Sequence, residues 1–326
     1  MRAGNLTFLA GLAAVLLVSA RVAAAAAALD YPAKPIRLLV GFPGGSSLDI
    51  AARIVSNKLS ELLGQNVIVD NRAGAAGNIA AETVARARPD GYTLLMGANG
   101  ALAINPALHK KLPYDSIRDF APVSKVAVGV NVLAVTPSFP ATTVEQLIAL
   151  SKTKPLLGAS SGVGSPGHLA LALFNTMAKT TIAHVPYKGS TPALLDLMAG
   201  TVQMTFATGA TTLPLMKSGK VRGLAVTSLQ RSPLIPELPT VSESGLTGFE
   251  VTGWYGVLAP AGTPRAIIDR LNAALVRAMQ MGDVKHSMEA QGISVTHSTP
   301  EAFGAFIKSE VAKWAGVVRL AGAKAE

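Results

Sequence analysis

Ile36 to Gly41 is an apolar run broken only by Arg37. It passes through Pro43, Gly44, Gly45, Ser46 and Ser47 into Asp49 to Leu63, where apolar residues recur at helical spacing until Gly64. The pattern predicts a buried strand, a glycine-rich loop and an amphipathic helix. Asn66 to Asp70 reads as a second strand and Asn78 to Arg88 as a helix ended by the Pro89-Asp90-Gly91 turn. Tyr92 to Gly97 reads as a third strand. Strands alternating with helices predict parallel pairing through right-handed crossovers.

The alternation starts again near Asn131. Strands are expected at Val132 to Thr136, Leu156 to Ser160, Thr181 to Pro186, Val202 to Ala207 and Val221 to Thr227. Helices are expected at Thr143 to Ser151, Pro166 to Ala178, Pro192 to Ala199 and Leu213 to Lys217. After a strand at Trp254 to Ala259 and the turn Pro260 to Pro264, helices at Arg265 to Met281, Asp283 to Gln291 and Pro300 to Val318 should cover the first unit's sheet. The expected organisation is two α/β domains, 29–128 with 254–326 and 129–253, joined by chain crossings near Val128 and Gly253 that form a hinge.

Composition changes this picture at the N-terminus. Arg2, the apolar run Leu6 to Ala20 and the alanines of 23–28 read as a secretory signal peptide, residues 1–28, cleaved between Ala20 and Ala28. The run is too short to span a bilayer. The 326 residues contain no cysteine, which excludes thiol catalysis, thiolate metal sites and a lipoprotein anchor, and a mature chain of this length can fold without disulfides. A soluble periplasmic monomer is expected. The formal charge of +10 is scattered, with its densest cluster at His109-Lys110-Lys111, and aromatics are sparse, so nucleic acid is not an expected partner. A positive field would draw small anions towards a cleft.

The candidate chemistry lies in two loops of the same grammar, Phe42 to Asp49 and Ser160 to His168. Each follows a predicted strand and opens a helix, where unpaired N–H groups sit at the positive end of the helix macrodipole. An anion is the natural guest. Gly44, Gly45, Gly162 and Gly164 permit close backbone approach, and Ser46, Ser47, Ser160, Ser161 and Ser165 add hydroxyl donors. Asp49 either satisfies helix N–H groups or faces the ligand, receiving an ammonium group or limiting anion size. His168, in the first turn after the second loop, is a candidate contact.

Other motif matches compete with this reading. Gly162 to Gly167 satisfies G-x-G-x-x-G, but no acidic residue follows near the ribose-binding position, where Tyr187 and Lys188 stand, so no dinucleotide cofactor is expected. Gly158 to Gly162 fits G-x-S-x-G and offers an alternative, a secreted α/β hydrolase with Ser160 as nucleophile, Asp196 or Asp269 as acid and His286 or His297 as base. The five histidines show no metal-ligand spacing, and no metal is expected.

Taken in order, the segments YPAKPIRLLVGFPGG, DNRAGAAGNIAAE, PDGYTLLMG, LPYDSIRDFAPV, ASSGVGSPGHLA, HVPYKGSTPALLDLMAG, GKVRGLAVTS and LAPAGTP make the chain resemble the Bug family, the solute-binding receptors of tripartite tricarboxylate transporters. The resemblance implies a type II-like venus-flytrap periplasmic binding protein, each domain a mixed, mostly parallel sheet flanked by helices. It implies no catalytic residues. The implied function is to hold a small carboxylate or related metabolite in the interdomain cleft and pass it to a TctA/TctB-like membrane permease. Positions matching the family's ligand contacts are Phe42, Gly45, Ser46, Asp49, Asn99, Ser160, Ser161, Gly164, Ser165, His168, Tyr187, Ala207 and Thr208. The chain departs from the family pattern at Ser46, where glycine is common, and at Ala172 and Ala207, where acids are frequent. Loss of an acid at the cleft edge favours a simple mono- or dicarboxylate over an amino acid.

Overall fold

The computed structural model describes residues 31–321 apart from Lys110, Gly164 and Lys188. The signal-peptide segment, and Gly164 among the candidate contacts, lie outside the described residues.

The first unit runs β1 (Ile36–Val40), α1 (Ser47–Leu63), β2 (Val67–Asn71), α2 (Asn78–Ala85) and β3 (Thr93–Ala98). A π-helical turn at Gly100–Ile104 and the short α3 (Asn105–Leu108) then lead to β4 (Phe120–Gly129). The chain crosses at Val130 into β5 (Asn131–Val135), α4 (Val144–Ser151), β6 (Leu157–Ser160), α5 (Pro166–Ala178) and β7 (Ala183–Pro186). It continues through α6 (Ser190–Ala199), β8 (Met204–Thr208), α7 (Gly209–Lys217) and β9 (Arg222–Val226). It returns in β10 (Gly253–Pro260), followed by α8 (Arg265–Met279), α9 (Gly282–Glu289), β11 (Ile293–Val295) and α10 (Pro300–Ala321).

These strands make two sheets, ordered β11-β4-β10-β3-β1-β2 and β7-β6-β8-β5-β9. The strands that carry the helices forward pair in parallel, β1 with β2 and β3, and β6 with β7 and β8. The strands adjoining the crossings pair antiparallel: β10 lies between β3 and β4, and β5 between β8 and β9. Both sheets are therefore mixed, with a larger antiparallel share than alternation alone predicts. β4 and β11 escape the hydrophobic pattern, β4 because Pro122 and Lys125 interrupt it and β11 because it is only three residues long.

The two crossings lie side by side. Gly129 and Gly253 are register partners where the inner strands β4 and β10 leave and enter the first sheet. Just beyond, the Val251 carbonyl accepts from Asn131 Nδ2 at 3.1 Å and from Thr227 Oγ1 at 2.6 Å. Side chains from the second sheet thus secure the returning strand where it leaves. α10 packs on β4 and also on α5, so one apolar cluster containing Leu169, Phe174, Phe249, Trp254, Phe303 and Trp314 runs from one sheet's layer to the other's. At its centre the indole Nε1 groups of Trp254 and Trp314 both donate to Glu310 Oε2 at 3.0 Å.

Candidate ligand-binding site

The loop after β1 is shaped by its own residues. Gly45 adopts φ 82, in the left-handed region that glycine enters without a Cβ clash. Its N–H donates to Asp49 Oδ2 at 2.9 Å. Ser46 is extended and caps α1, its Oγ accepting from Asp49 N–H at 3.3 Å. Asp49 is 2% exposed and also accepts from Arg53 Nε at 2.9 Å and Asn71 Nδ2 at 2.8 Å. Burial acts to raise its pKa, but the hydrogen bonds from Arg53, Gly45 N–H and Asn71 together hold it below the ordinary carboxylate value. Asp49 thus holds the loop through both carboxylate oxygens. The first-turn N–H groups of Ser47 and Leu48 have no partner within a helix, and both residues lie on a cavity wall.

The second loop is held in a similar way. Ser165 caps α5, accepting from His168 N–H at 3.3 Å and donating to the Gly162 carbonyl at 2.7 Å. Ser160 Oγ is hydrogen-bonded to His184 Nε2 at 2.7 Å, and the His184 ring stacks on His168 with centroids 4.0 Å apart. Tyr187 donates its hydroxyl to Asp196 Oδ2 at 2.6 Å, which pushes its pKa up to about 12. Ser160, Ser165, His168 and Tyr187, all expected at the ligand, are therefore engaged with the loop and its supports. Polar side chains beside a tight turn find local backbone partners first.

The hydrolase alternative fails on the same geometry. Ser160 is 1% exposed and paired with His184, whereas the expected acid Asp196 is bound to Tyr187 and Asp269 to Arg265. Neither expected base is Ser160's partner.

Burial, and then the neighbouring His168, lower the His184 pKa to about 4. Between pH 6.5 and about 4 the unfolded chain binds a proton at this site that the folded chain does not. Stability is therefore complete above pH 6.5 and falls as the pH drops towards 4, by about 2–3 kcal/mol. Thermal unfolding of His184→Gln, followed from pH 7 to 4.5, is expected to show a flatter decline than the parent.

Between the two sheets lies a cavity of about 210 Å³. The first sheet's side contributes Phe42, Ser46, Ser47 and Leu48 from the first loop, Ala98, Asn99 and Gly100 from the end of β3, and Tyr255, Gly292 and Ile293. The second contributes Pro166 from α5 and Thr208, Gly209 and Ala210 from the start of α7; Gly129, Val130, Asn131 and Gly253 form the crossing. A smaller space of about 40 Å³, lined by Ser161 and Ala207, adjoins it through Asn131, Pro166 and Thr208. Of the sequence candidates, Phe42, Ser46, Asn99, Ser161, Ala207 and Thr208 reach these walls.

Tyr255, Asn131 and, at the start of α7, Gly209 and Ala210 were not among the sequence candidates, whereas Ser47 was named as a hydroxyl donor of the first loop. The Tyr255 hydroxyl is hydrogen-bonded to Ser47, and enclosure raises its pKa to about 12, so it faces the cavity as a neutral phenol. Gly209 N–H is taken by the Val130 carbonyl at 2.7 Å, which brings the α7 N-terminus against the crossing with Ala210 beside it on the wall. Apart from Tyr255, no wall residue of either space among the described residues carries an ionisable side chain. The donors are main-chain N–H groups, hydroxyls and amides. A larger open groove of about 520 Å³ runs between α8 and α10, away from both loops.

Comparison with known proteins agrees with this architecture. Residues 51–322 match the family model described as the tripartite tricarboxylate transporter family receptor. Protein BugT of Bordetella pertussis is 38% identical, over 98% of this chain and 99% of its own length. The solved structure of Rpa4515 of R. palustris with adipate is 37% identical with a TM-score of 0.81, covering 90% of this chain and 99% of that one. MatC (Rpa3494) of Rhodopseudomonas palustris with bound malate is 32% identical with a TM-score of 0.76, covering 88% of this chain and 100% of that one. Two mixed sheets meeting at a neutral cavity, together with a family match over most of the sequence, identify the chain as a member of the tripartite tricarboxylate transporter receptor family, a periplasmic-type solute-binding receptor and not an enzyme.

Proposed function

We propose that this receptor captures a small mono- or dicarboxylate in the cavity between its sheets and delivers it to a TctA/TctB-like membrane permease. It acts as a periplasmic monomer after removal of residues 1–28. The lobes 29–128 with 254–326 and 129–253 close on the ligand about the paired crossings at Gly129 and Gly253.

The observation that carries this reading is the cavity itself, into which the N-terminal turns of α1 and α7 open from opposite sheets while no charged side chain lines it. A carboxylate there gains charge-assisted hydrogen bonds from first-turn N–H groups and hydroxyls, at about 1.5–3 kcal/mol each, plus up to about 1 kcal/mol from each helix terminus. Desolvation and the entropy of association and closure oppose this. A net near −8 kcal/mol, about micromolar, is the expected result. Only the closed form lets both termini touch one guest, so ligand shifts the open–closed equilibrium by differential contact.

The same wall selects among anions. With no arginine or lysine on it, a third carboxylate would be buried without compensation. Asp49 is engaged within the loop, and positions 172 and 207 are alanine, so no carboxylate among the described residues lines the wall to balance an ammonium group. The relatives bound to adipate and to malate hold dicarboxylates, in line with this preference. Calorimetric titration of protein freed of ligand by unfolding and refolding is expected to give micromolar binding of at least one small mono- or dicarboxylate. Citrate and glutamate are expected to bind at least tenfold more weakly. Tight binding of citrate with none of the smaller acids would overturn the reading.

A further inference from the structure

The end of the five-stranded sheet farthest from the cavity carries an unusual charge. The register places the starts of β6, β7, β8 and β9 at one level, because Leu157 faces Ala183, Gly158 faces Met204, and Val135 at the end of β5 faces both Met204 and Arg222. The segments entering these strands therefore gather at one pole. They carry Lys152, Lys154, Lys179, Lys217 and Lys220, all exposed. None of these lysines joins an ion pair among the described residues; the pairs made by residues of this sheet's layer are Arg231 with Glu243 and Glu250 with Lys313. Arg222 adds a further positive charge, its guanidinium donating to the Pro137 and Phe139 carbonyls at 2.9 and 3.0 Å. The nearest carboxylates in the chain path are Asp196 on α6, which accepts from Tyr187, Glu145 on α4, and Glu237 beside Leu238 at Gly223; against the five lysines and Arg222 they leave a positive surplus.

We propose that this pole is a docking surface for anionic phospholipid headgroups. The chemistry favours a diffuse anionic lattice over a shaped acidic protein. The free charges are lysine point charges at the tips of separate turns, the one arginine fork there is occupied by carbonyls, and the cavities described above lie elsewhere. Because the pole lies at the opposite end of the sheet from the cavity, a receptor held there keeps its cavity open to solution. Each lysine near an anionic surface strengthens attachment by up to about fivefold, and the effect is confined to roughly a Debye length.

The test is flotation of the mature protein with phosphatidylcholine vesicles and with vesicles containing about one third phosphatidylglycerol, at about 50 and 300 mM salt. The expected result is binding to the anionic vesicles only, reduced at least tenfold by the higher salt. The double variant Lys152→Glu/Lys217→Glu is expected to lose at least tenfold, while Lys285→Glu/Lys308→Glu, the same change of charge on the first sheet's helices, loses less than half. Equal losses in the two variants would assign the attraction to net charge and overturn the proposal. So would binding to neutral vesicles, no vesicle binding at low salt, or retention on immobilised polyglutamate in preference to the anionic vesicles. Unchanged unfolding temperatures of both variants show that the comparison is between folded proteins, and the salt series on the parent chain needs no variant.

Discussion

Ser46→Asp is expected to leave the fold intact and to weaken carboxylate binding by about two orders of magnitude. Ser46 has two roles that this substitution separates. Its side chain caps α1 through Asp49 N–H, and aspartate is as good a cap as serine and is favoured by the macrodipole. It also stands on the wall of a cavity whose other side chains are neutral. A new carboxylate about 5 Å from a bound one repels it by about 3 kcal/mol at an effective dielectric constant of about 20. Unfolding temperature and calorimetric affinity measured on the same preparation check both halves: the first should hold within a few degrees while the second collapses. An unchanged affinity would remove the first loop from the site.

Glu310→Ala is expected to destabilise the protein by about 4 kcal/mol, because it leaves the buried Nε1–H groups of Trp254 and Trp314 without their shared acceptor. Lys313 loses a neighbour at 3.4 Å but keeps Glu250 at 2.7 Å, so the main cost falls on the two indoles. For a chain of this size the shift in unfolding temperature is about 6 °C. The consequence is wider than a core defect, because α10 packs on both β4 and α5 and its apolar cluster ties the two sheets together. Denaturant unfolding followed by tryptophan fluorescence checks the magnitude. A loss below about 1 kcal/mol would mean that the indole N–H groups find other partners.

The elements that build the site were legible where a local pattern writes them. The helix expected at Pro166 to Ala178 matches α5 at both ends because Ser165 supplies a cap, Pro166 a first-turn proline, and Lys179 a left-handed stop. The loop after β1 announces itself through Gly45, whose backbone angle needs glycine, and through Asp49 at capping distance. The unread parts depend on contacts distant in sequence. β4 is an inner strand in spite of Lys125, whose ammonium lies 4.3 Å from the centre of the Phe306 ring, so the charge that breaks the apolar pattern is accommodated by a helix nearly two hundred residues later. Tyr255 reaches the cavity because β10 inserts between β3 and β4, and nothing around Tyr255 in the sequence states that pairing. The polar residues of the second loop were the harder case. Ser160, Ser165 and His168 sit beside the cavity in sequence terms, yet their hydrogen bonds and ring contacts hold the loop itself, a distinction that proximity to a glycine cannot make.

A crystal structure of the protein with malate or adipate would show whether neutral donors from both sheets grip one carboxylate. A carboxylate oxygen is expected within hydrogen-bonding distance of the main-chain N–H groups at Ser47 or Leu48, with the start of α7 at Ala210 closing on the same molecule and no charged side chain in contact with it. A dicarboxylate seated instead in the outer groove beside Arg265 and Lys308, with the cavity at Ser46 and Thr208 closed by protein alone, would contradict it.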